Sequence, residues 1–252
     1  MKDLSGVQAV DRVAALLRVV STAGGTLAET ARATELSEAT ALRYLTALEH
    51  YSLVERDPGT RAYRVGPGLL ELANGWAGGE DVLAAAEPGM RRLLEEFGET
   101  VNLGVRAGET LIVVHALESP RPIRKGAAVG ERDHWNCTAL GKALLAAMPE
   151  AAAKALAESA MSERLTEHTR TTWTALLGDL RTARETGYAV DDEESSLGLR
   201  CIGAAITDRS GAPRYAISVS GPGDRLPAEQ DSVIGERVAA EAAAVAVRLG
   251  GR

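Results

Sequence analysis

The side chains of this chain that could do chemistry fall into three groups. Arg43 lies in the run Glu38-Ala39-Thr40-Ala41-Leu42-Arg43-Tyr44, and Arg56, Arg61 and Arg64 follow on either side of Asp57-Pro58-Gly59. A guanidinium takes a phosphate or the paired acceptors of a guanine edge, so this placement describes contact with DNA. The second group is Ser218 and Ser220, two apart in a strand-like run, whose hydroxyls share one face and need partners if that face is inward. A helix beginning near Thr138 would add free backbone N–H groups and a positive dipole end, a ready seat for an anion. The third group is Cys137, Cys201, His115 and His134. A thiol with a histidine base would make a nucleophile, Asp191, Cys201 and either His134 or Cys137 would make a zinc set, and Cys137 with Cys201 would make a redox switch. No nucleophile motif and no short ligand spacing supports the first two, so neither a catalytic residue nor a resident metal or cofactor is expected. Two cysteines are too few for a disulfide framework, and reduced thiols are the default.

These residues need elements to hold them. Residues 27–33 and 38–49 predict two helices, the second opened by Ser37 as N-cap. Leu42, Leu45 and Leu48 recur at intervals of three and are expected to face the core, leaving Glu38, Ala39, Thr40, Arg43, Tyr44 and Ala47 outward. Asp57-Pro58-Gly59 is a turn between runs containing Leu53, Val54, Tyr63 and Val65. Two helices and a hairpin form a winged helix-turn-helix, which places its second helix in a DNA major groove. After Gly66-Pro67-Gly68 a helical pattern runs through Leu69, Leu70, Leu72 and Trp76, broken at 77–81. A further helix begins at Val82 and stops at Gly98. Strands are predicted at 101–106, 111–117, 201–208 and 215–220, with Gly108-Glu109 and Ser210-Gly211 as turns. Helices are predicted at 139–148, 150–159, 173–186 and 229–249, and the acidic run Asp191 to Glu194 reads as a solvated turn. Hairpins interleaved with helices imply an α+β domain on an antiparallel sheet. The boundaries follow as a DNA-binding domain over 1–66, a linker helix over 67–81 and a second domain over 82–252.

Charge separates the same two parts. The chain has 252 residues and a net charge of −7, but residues 1–66 hold eight Lys/Arg against eight Asp/Glu. A neutral reader binds DNA through arginines clustered on one face, with weak and salt-sensitive non-specific affinity. The remaining, acidic part is not expected to touch nucleic acid or an anionic membrane. No apolar run approaches the roughly 20 residues of a membrane span, and the N-terminus lacks a basic segment followed by an apolar one. A cytoplasmic protein is expected.

The order of several phrases resembles the IclR family of bacterial transcriptional regulators. They are Gly6-Val7-Gln8-Ala9-Val10-Asp11-Arg12, Leu42-Arg43-Tyr44-Leu45, Leu53-Val54-Glu55-Arg56, Thr100-Val101-Asn102-Leu103, Thr138-Ala139-Leu140-Gly141-Lys142-Ala143-Leu144-Leu145, Gly187-Tyr188-Ala189-Val190-Asp191-Asp192-Glu193-Glu194 and Ser218-Val219-Ser220-Gly221-Pro222. The resemblance covers essentially the whole chain. It implies a winged helix-turn-helix, a linker helix and a C-terminal GAF-like domain that binds a small-molecule effector. It also implies a homodimer or tetramer on a double-stranded operator. The family's effector pocket maps onto Ala139, Leu140, Asp191, Cys201, Ser218 and Ser220, and a small organic acid with a second polar group suits these side chains. Where relatives commonly carry a histidine and a small residue, this chain has Asn136 and Cys137, preceded by His134-Trp135; Trp135 and Cys137 are therefore expected to shape ligand choice. Glu38 stands where relatives are often basic.

Overall fold

The computed structural model describes residues 7–74, 79–126, 129–161 and 163–250. It divides into two compact units, one up to residue 77 and one from residue 78.

The first unit begins with α1 (Gln8–Thr22), a helix beyond those predicted from sequence spacing. Its apolar residues at 13, 16, 17 and 20 form one stripe, with Leu16 and Val20 buried. α2 (Leu27–Ala33) opens with a capping box, in which Glu29 N–H donates to the Thr26 hydroxyl and Thr26 N–H to the Glu29 carboxylate. α3 (Glu38–His50) opens on Ser37, whose hydroxyl accepts from Thr40 N–H. The leucine spacing misplaces one residue of α3. Ala41, Leu45 and Leu48 are buried, whereas Leu42 is 41% exposed. Stepping back from Leu45 by four rather than three places Ala41 on the core side, as 3.6 residues per turn requires. Strands β1 (Val54–Arg56) and β2 (Tyr63–Val65) form the hairpin, with Tyr63 in the core and bridged to Gly25. At Gly66 a Cβ would lie 2.3 Å from the Ser52 carbonyl oxygen, so only glycine lets the chain leave the hairpin this way. α4 (Gly68–Asn74) follows. Trp76, expected in that helix, lies outside the described residues.

The second unit starts with α5 (Gly79–Phe97), which is already helical over 79–81 where a break was expected. Acidic residues such as Glu80 and Asp81 favour the first turn of a helix as readily as a loop. Six antiparallel strands form one sheet in the order β5-β4-β3-β8-β7-β6. Their spans are β3 (Thr100–Ala107), β4 (Thr110–Leu117), β5 (Arg132–Asp133), β6 (Ala189–Asp192), β7 (Leu199–Thr207) and β8 (Pro213–Pro222). The acidic run is therefore not a free turn. Residues 189–192 pair with β7, where burial of Asp191 and a run of ladder bonds outweigh the low strand propensity of aspartate. Period-two alternation then sorts the sheet. Val101, Leu103, Ile202, Ala204, Ile217 and Val219 face α5 and α9 (Asp231–Arg248) in one apolar layer. The other face carries Thr100, Asn102, Cys201, Ser218 and Ser220, polar or small, toward the α6 side. There α6 (Ala139–Ala147), α7 (Glu150–Ala160) and α8 (Trp173–Thr186) build the second core cluster.

Candidate functional site

Two places carry the chemistry-bearing residues, one in each unit. In the first, Glu38, Ala39, Arg43 and Ala47 of α3 are exposed, and Thr40 is half-buried. Tyr44 is half-buried and packs against the core, with the Arg43 guanidinium 5.3 Å from its ring centroid. A hydrogen bond from Arg12 holds the Tyr44 phenol below its ordinary pKa. The hairpin arginines differ in freedom. Arg56 stacks 5.2 Å over the Tyr63 ring, and its Nε donates to the Arg61 carbonyl. Arg64 pairs with Glu55 at 2.7 Å on the surface, a contact weak enough to be exchanged for a phosphate. Arg61 sits near the tip in the left-handed region, φ 58°, with no such partner among the described residues. Asp57 shapes that tip by accepting from Gly59 N–H, Thr60 N–H and the Thr60 hydroxyl.

The second place is a cavity of about 70 Å³ between the polar sheet face and the start of α6. Strand register assembles its wall. Asp191 lies opposite Cys201, Cys201 opposite Ser220 and Ser220 opposite Thr100; two residues along the strands, on the same face, Gly203 lies opposite Ser218 and Ser218 opposite Asn102. Gly203 is what admits α6, since a Cβ there would sit 3.0 Å from the Ala139 carbonyl carbon and oxygen. Thr138 caps α6 by accepting from Gly141 N–H, while its own hydroxyl donates to the His134 carbonyl. Ala139 and Leu140, whose N–H groups belong to the first turn of α6 and have no partner within the helix, line the cavity.

Six expected residues meet here: Ala139, Leu140, Asp191, Cys201, Ser218 and Ser220. The Asn102 amide donates to the Ser220 hydroxyl at 3.2 Å. Ser218 is 2% exposed and lines the cavity. Asp191 is committed to its own turn, accepting from Glu194 N–H at 2.9 Å, Ser195 N–H at 3.2 Å and the Ser195 hydroxyl at 2.5 Å. Burial nonetheless pushes its carboxyl up, as it does that of Asp133 across the cavity. Spacing did not single out Asn102, Lys125, Arg132 or Asp133, which also line the space. Lys125 and Arg132 bring positive charge to a wall that also holds Glu131, Asp133 and Asp191.

Trp135 and Cys137 do not line the cavity. Trp135 is buried in the cluster around α6 to α8, its Nε1 donating to the Glu109 carbonyl at 2.8 Å. Its large apolar ring is better satisfied by that core than by a polar cavity. Trp135→Phe is expected to cost about 2–3 kcal/mol, one hydrogen bond plus the void left by the smaller ring, with ligand response unchanged. Thermal unfolding and a ligand titration check it, and a shifted ligand profile would return Trp135 to the site. Cys137 and Cys201 are free, buried thiols. Burial pushes the Cys137 pKa up to about 12 and that of Cys201 further still, the reverse of what a nucleophile needs. His115 is engaged by Glu87 at 2.6 Å. Among the described residues no group of three or more His, Cys, Asp or Glu side chains is placed to hold a metal ion.

Behind the cavity lies an ionic cluster. Lys142 of α6 bonds to Glu194 and, at 3.2 Å, to Asp179, which also takes Arg170 at 3.0 Å. Thr166 and Thr169 fix the turn that carries Glu194 through its carbonyl.

Family models match both units. The IclR helix-turn-helix domain covers residues 9–58, and the bacterial transcriptional regulator IclR C-terminal domain covers residues 76–247. The HTH-type transcriptional regulator BhcR of Paracoccus denitrificans is 35% identical over 239 residues, 92% of this chain and 86% of its own. The HTH-type transcriptional repressor AllR of Escherichia coli K12 is 33% identical over 247 residues, 97% of this chain and 91% of its own. The crystal structure of an IclR transcriptional regulator from Alicyclobacillus acidocaldarius shares the fold, with a TM-score of 0.84 at 24% identity over 97% of this chain and 99% of that one.

Proposed function

Because the chain belongs to the IclR family and is a DNA-binding transcriptional regulator, we propose that α3 reads the major groove of its operator and that the cavity beneath α6 takes the modulating effector. The effector is a small organic acid. One observation carries the second half: buried Ser218 and Ser220 share a cavity with Asn102, Lys125 and the start of α6. Hydroxyl, amide and helix N–H donors beside an ammonium suit a carboxylate. One water needs about 10–15 Å³ of such space, so the cavity suits an acid of about five or six heavy atoms. Asp191 and Asp133, pushed toward their neutral forms by burial, repel that acid less than exposed carboxylates would. Asp133 can meet a second polar group on the ligand.

The effector acts by favouring one arrangement of the protein over another. A homodimer or higher oligomer on a pseudo-palindromic operator suits the helix-turn-helix, whose half-sites mirror protein symmetry. We assign no catalytic step. A regulator of this kind works in the cytoplasm, and no helix among the described residues is long and apolar enough to cross a membrane.

Fluorescence anisotropy with the protein's own upstream intergenic DNA, against scrambled DNA at two salt concentrations, tests the reading. Arg43→Ala is expected to weaken specific binding by about 1–3 kcal/mol with the fold intact, with a shallower salt slope if Arg43 holds a phosphate. Small organic acids are then titrated in. At least one should shift DNA affinity for the wild type and fail to do so for Ser218→Ala. Acids without effect, or a Ser218→Ala protein that responds normally, would remove the cavity from the account.

A further inference from the structure

We propose that Leu42 is a base-reading residue, packing against the 5-methyl group of a thymine in the operator. The inference rests on α3 being the groove helix.

At 3.6 residues per turn, Ala41, Leu45 and Leu48 point toward the core, and Ala39, Arg43, Thr46 and His50 point away. Leu42 lies on the flank of the outward set. It is the only exposed large hydrophobic residue of α3, and it is not among the side chains packed on this unit's core. Its place on the helix leaves 41% of it in water, where an aliphatic side chain gains nothing. The surface around it suits one partner. Ala39 and Thr46 are exposed and offer methyl carbons without charge, and Arg43 adds donors beside them. In the major groove the apolar feature of a base edge is the thymine methyl, which alanine, threonine methyl and similar groups contact. A protein partner would call for a wider apolar surface on α3 than a single leucine supplies.

The test uses the full chain and an operator selected by it from random DNA. Each thymine is replaced singly by uracil, which deletes only the methyl group. At one thymine per half-site, uracil should weaken wild-type binding about four-fold, what burying one methyl-sized group is worth. Leu42→Ala should bind the thymine and uracil versions equally, and Leu42→Met should keep the preference. Leu42 is exposed, so both variants should unfold at the wild-type temperature. A scan flat for the wild type, or a penalty that persists in Leu42→Ala, overturns the inference. A flat scan with Arg43→Ala still impaired removes Leu42 alone, whereas an unimpaired Arg43→Ala removes α3 as the reader.

Discussion

Lys142→Met is expected to lower stability by about 3–5 kcal/mol, the usual result of taking one partner from a buried ion pair. The Lys142 and Glu194 side chains are each 1% exposed, and among the described residues Asp179 is the only other acid bonded to that ammonium. Burial pushes the Glu194 carboxyl up to about 7 against the pull of Lys142, and its Oε2 has no hydrogen-bond partner among the described residues. A carboxyl raised above its ordinary 4.5 holds its proton longer in the native state. Its contribution to stability is therefore full below that value and is lost as pH rises through about 7. Without the ammonium the folded pKa climbs further, so the variant goes on losing stability at pH values where the wild type has stopped. The gap between the two proteins should be wider at about pH 8.5 than at about pH 6, by urea unfolding at both. Lys142→Met combined with Glu194→Gln leaves no unpaired charge and should recover most of the loss. A single variant within about 1 kcal/mol of the wild type would show that the pair contributes little.

The parts of the fold that sequence made legible are those where local chemistry and burial agree. Ser37 caps α3, Asp57-Pro58-Gly59 turns the wing, and Gly108 and Gly211 turn hairpins, each by a mechanism confined to a few residues. Misreadings arose where tertiary context decides. Leu42 fits a three-residue spacing as well as a buried leucine does, and only the true helical period separates it from Ala41. Residues 189–192 look like a solvated acidic turn, because nothing local reveals that Asp191 will lie opposite Cys201 and accept three hydrogen bonds from its own turn. Ser218 and Ser220 are recognisable as one face of a strand, but Asn102 reaches the same cavity from β3 by register, and Lys125 from a loop whose carbonyl accepts the Thr100 hydroxyl. A sharper signal was available for Asn102. In the sequence Thr100-Val101-Asn102-Leu103-Gly104-Val105, polar or small residues alternate with apolar ones, marking a strand with one non-oily face. Trp135 stands beside the two positions where this chain departs from its relatives, but its size commits it to the core.

Gly141→Ala is expected to cost about 3 kcal/mol, the upper end for overpacking, because what the new carbon meets is backbone. A Cβ at 141 would sit 2.3 Å from the His134 carbonyl oxygen, 2.6 Å from that of Trp135 and 2.7 Å from the Trp135 Cα. No rotamer relieves such a contact, so either α6 or the segment 134–135 has to move. The movement has a functional address. That segment follows Asp133 on the cavity wall, and the His134 carbonyl accepts the hydroxyl of Thr138, the cap of α6. The variant should therefore lose ligand response as well as stability. Gly178→Ala provides the control, since it is an exposed helical position of α8 with nothing within 4 Å of a new Cβ. There the same substitution is expected to add about 1 kcal/mol through helix propensity alone. Urea unfolding of both variants, with an organic-acid titration of each, separates the effects. If Gly141→Ala were as stable as the wild type, the packing of α6 on segment 134–135 would not be what holds the cavity in shape.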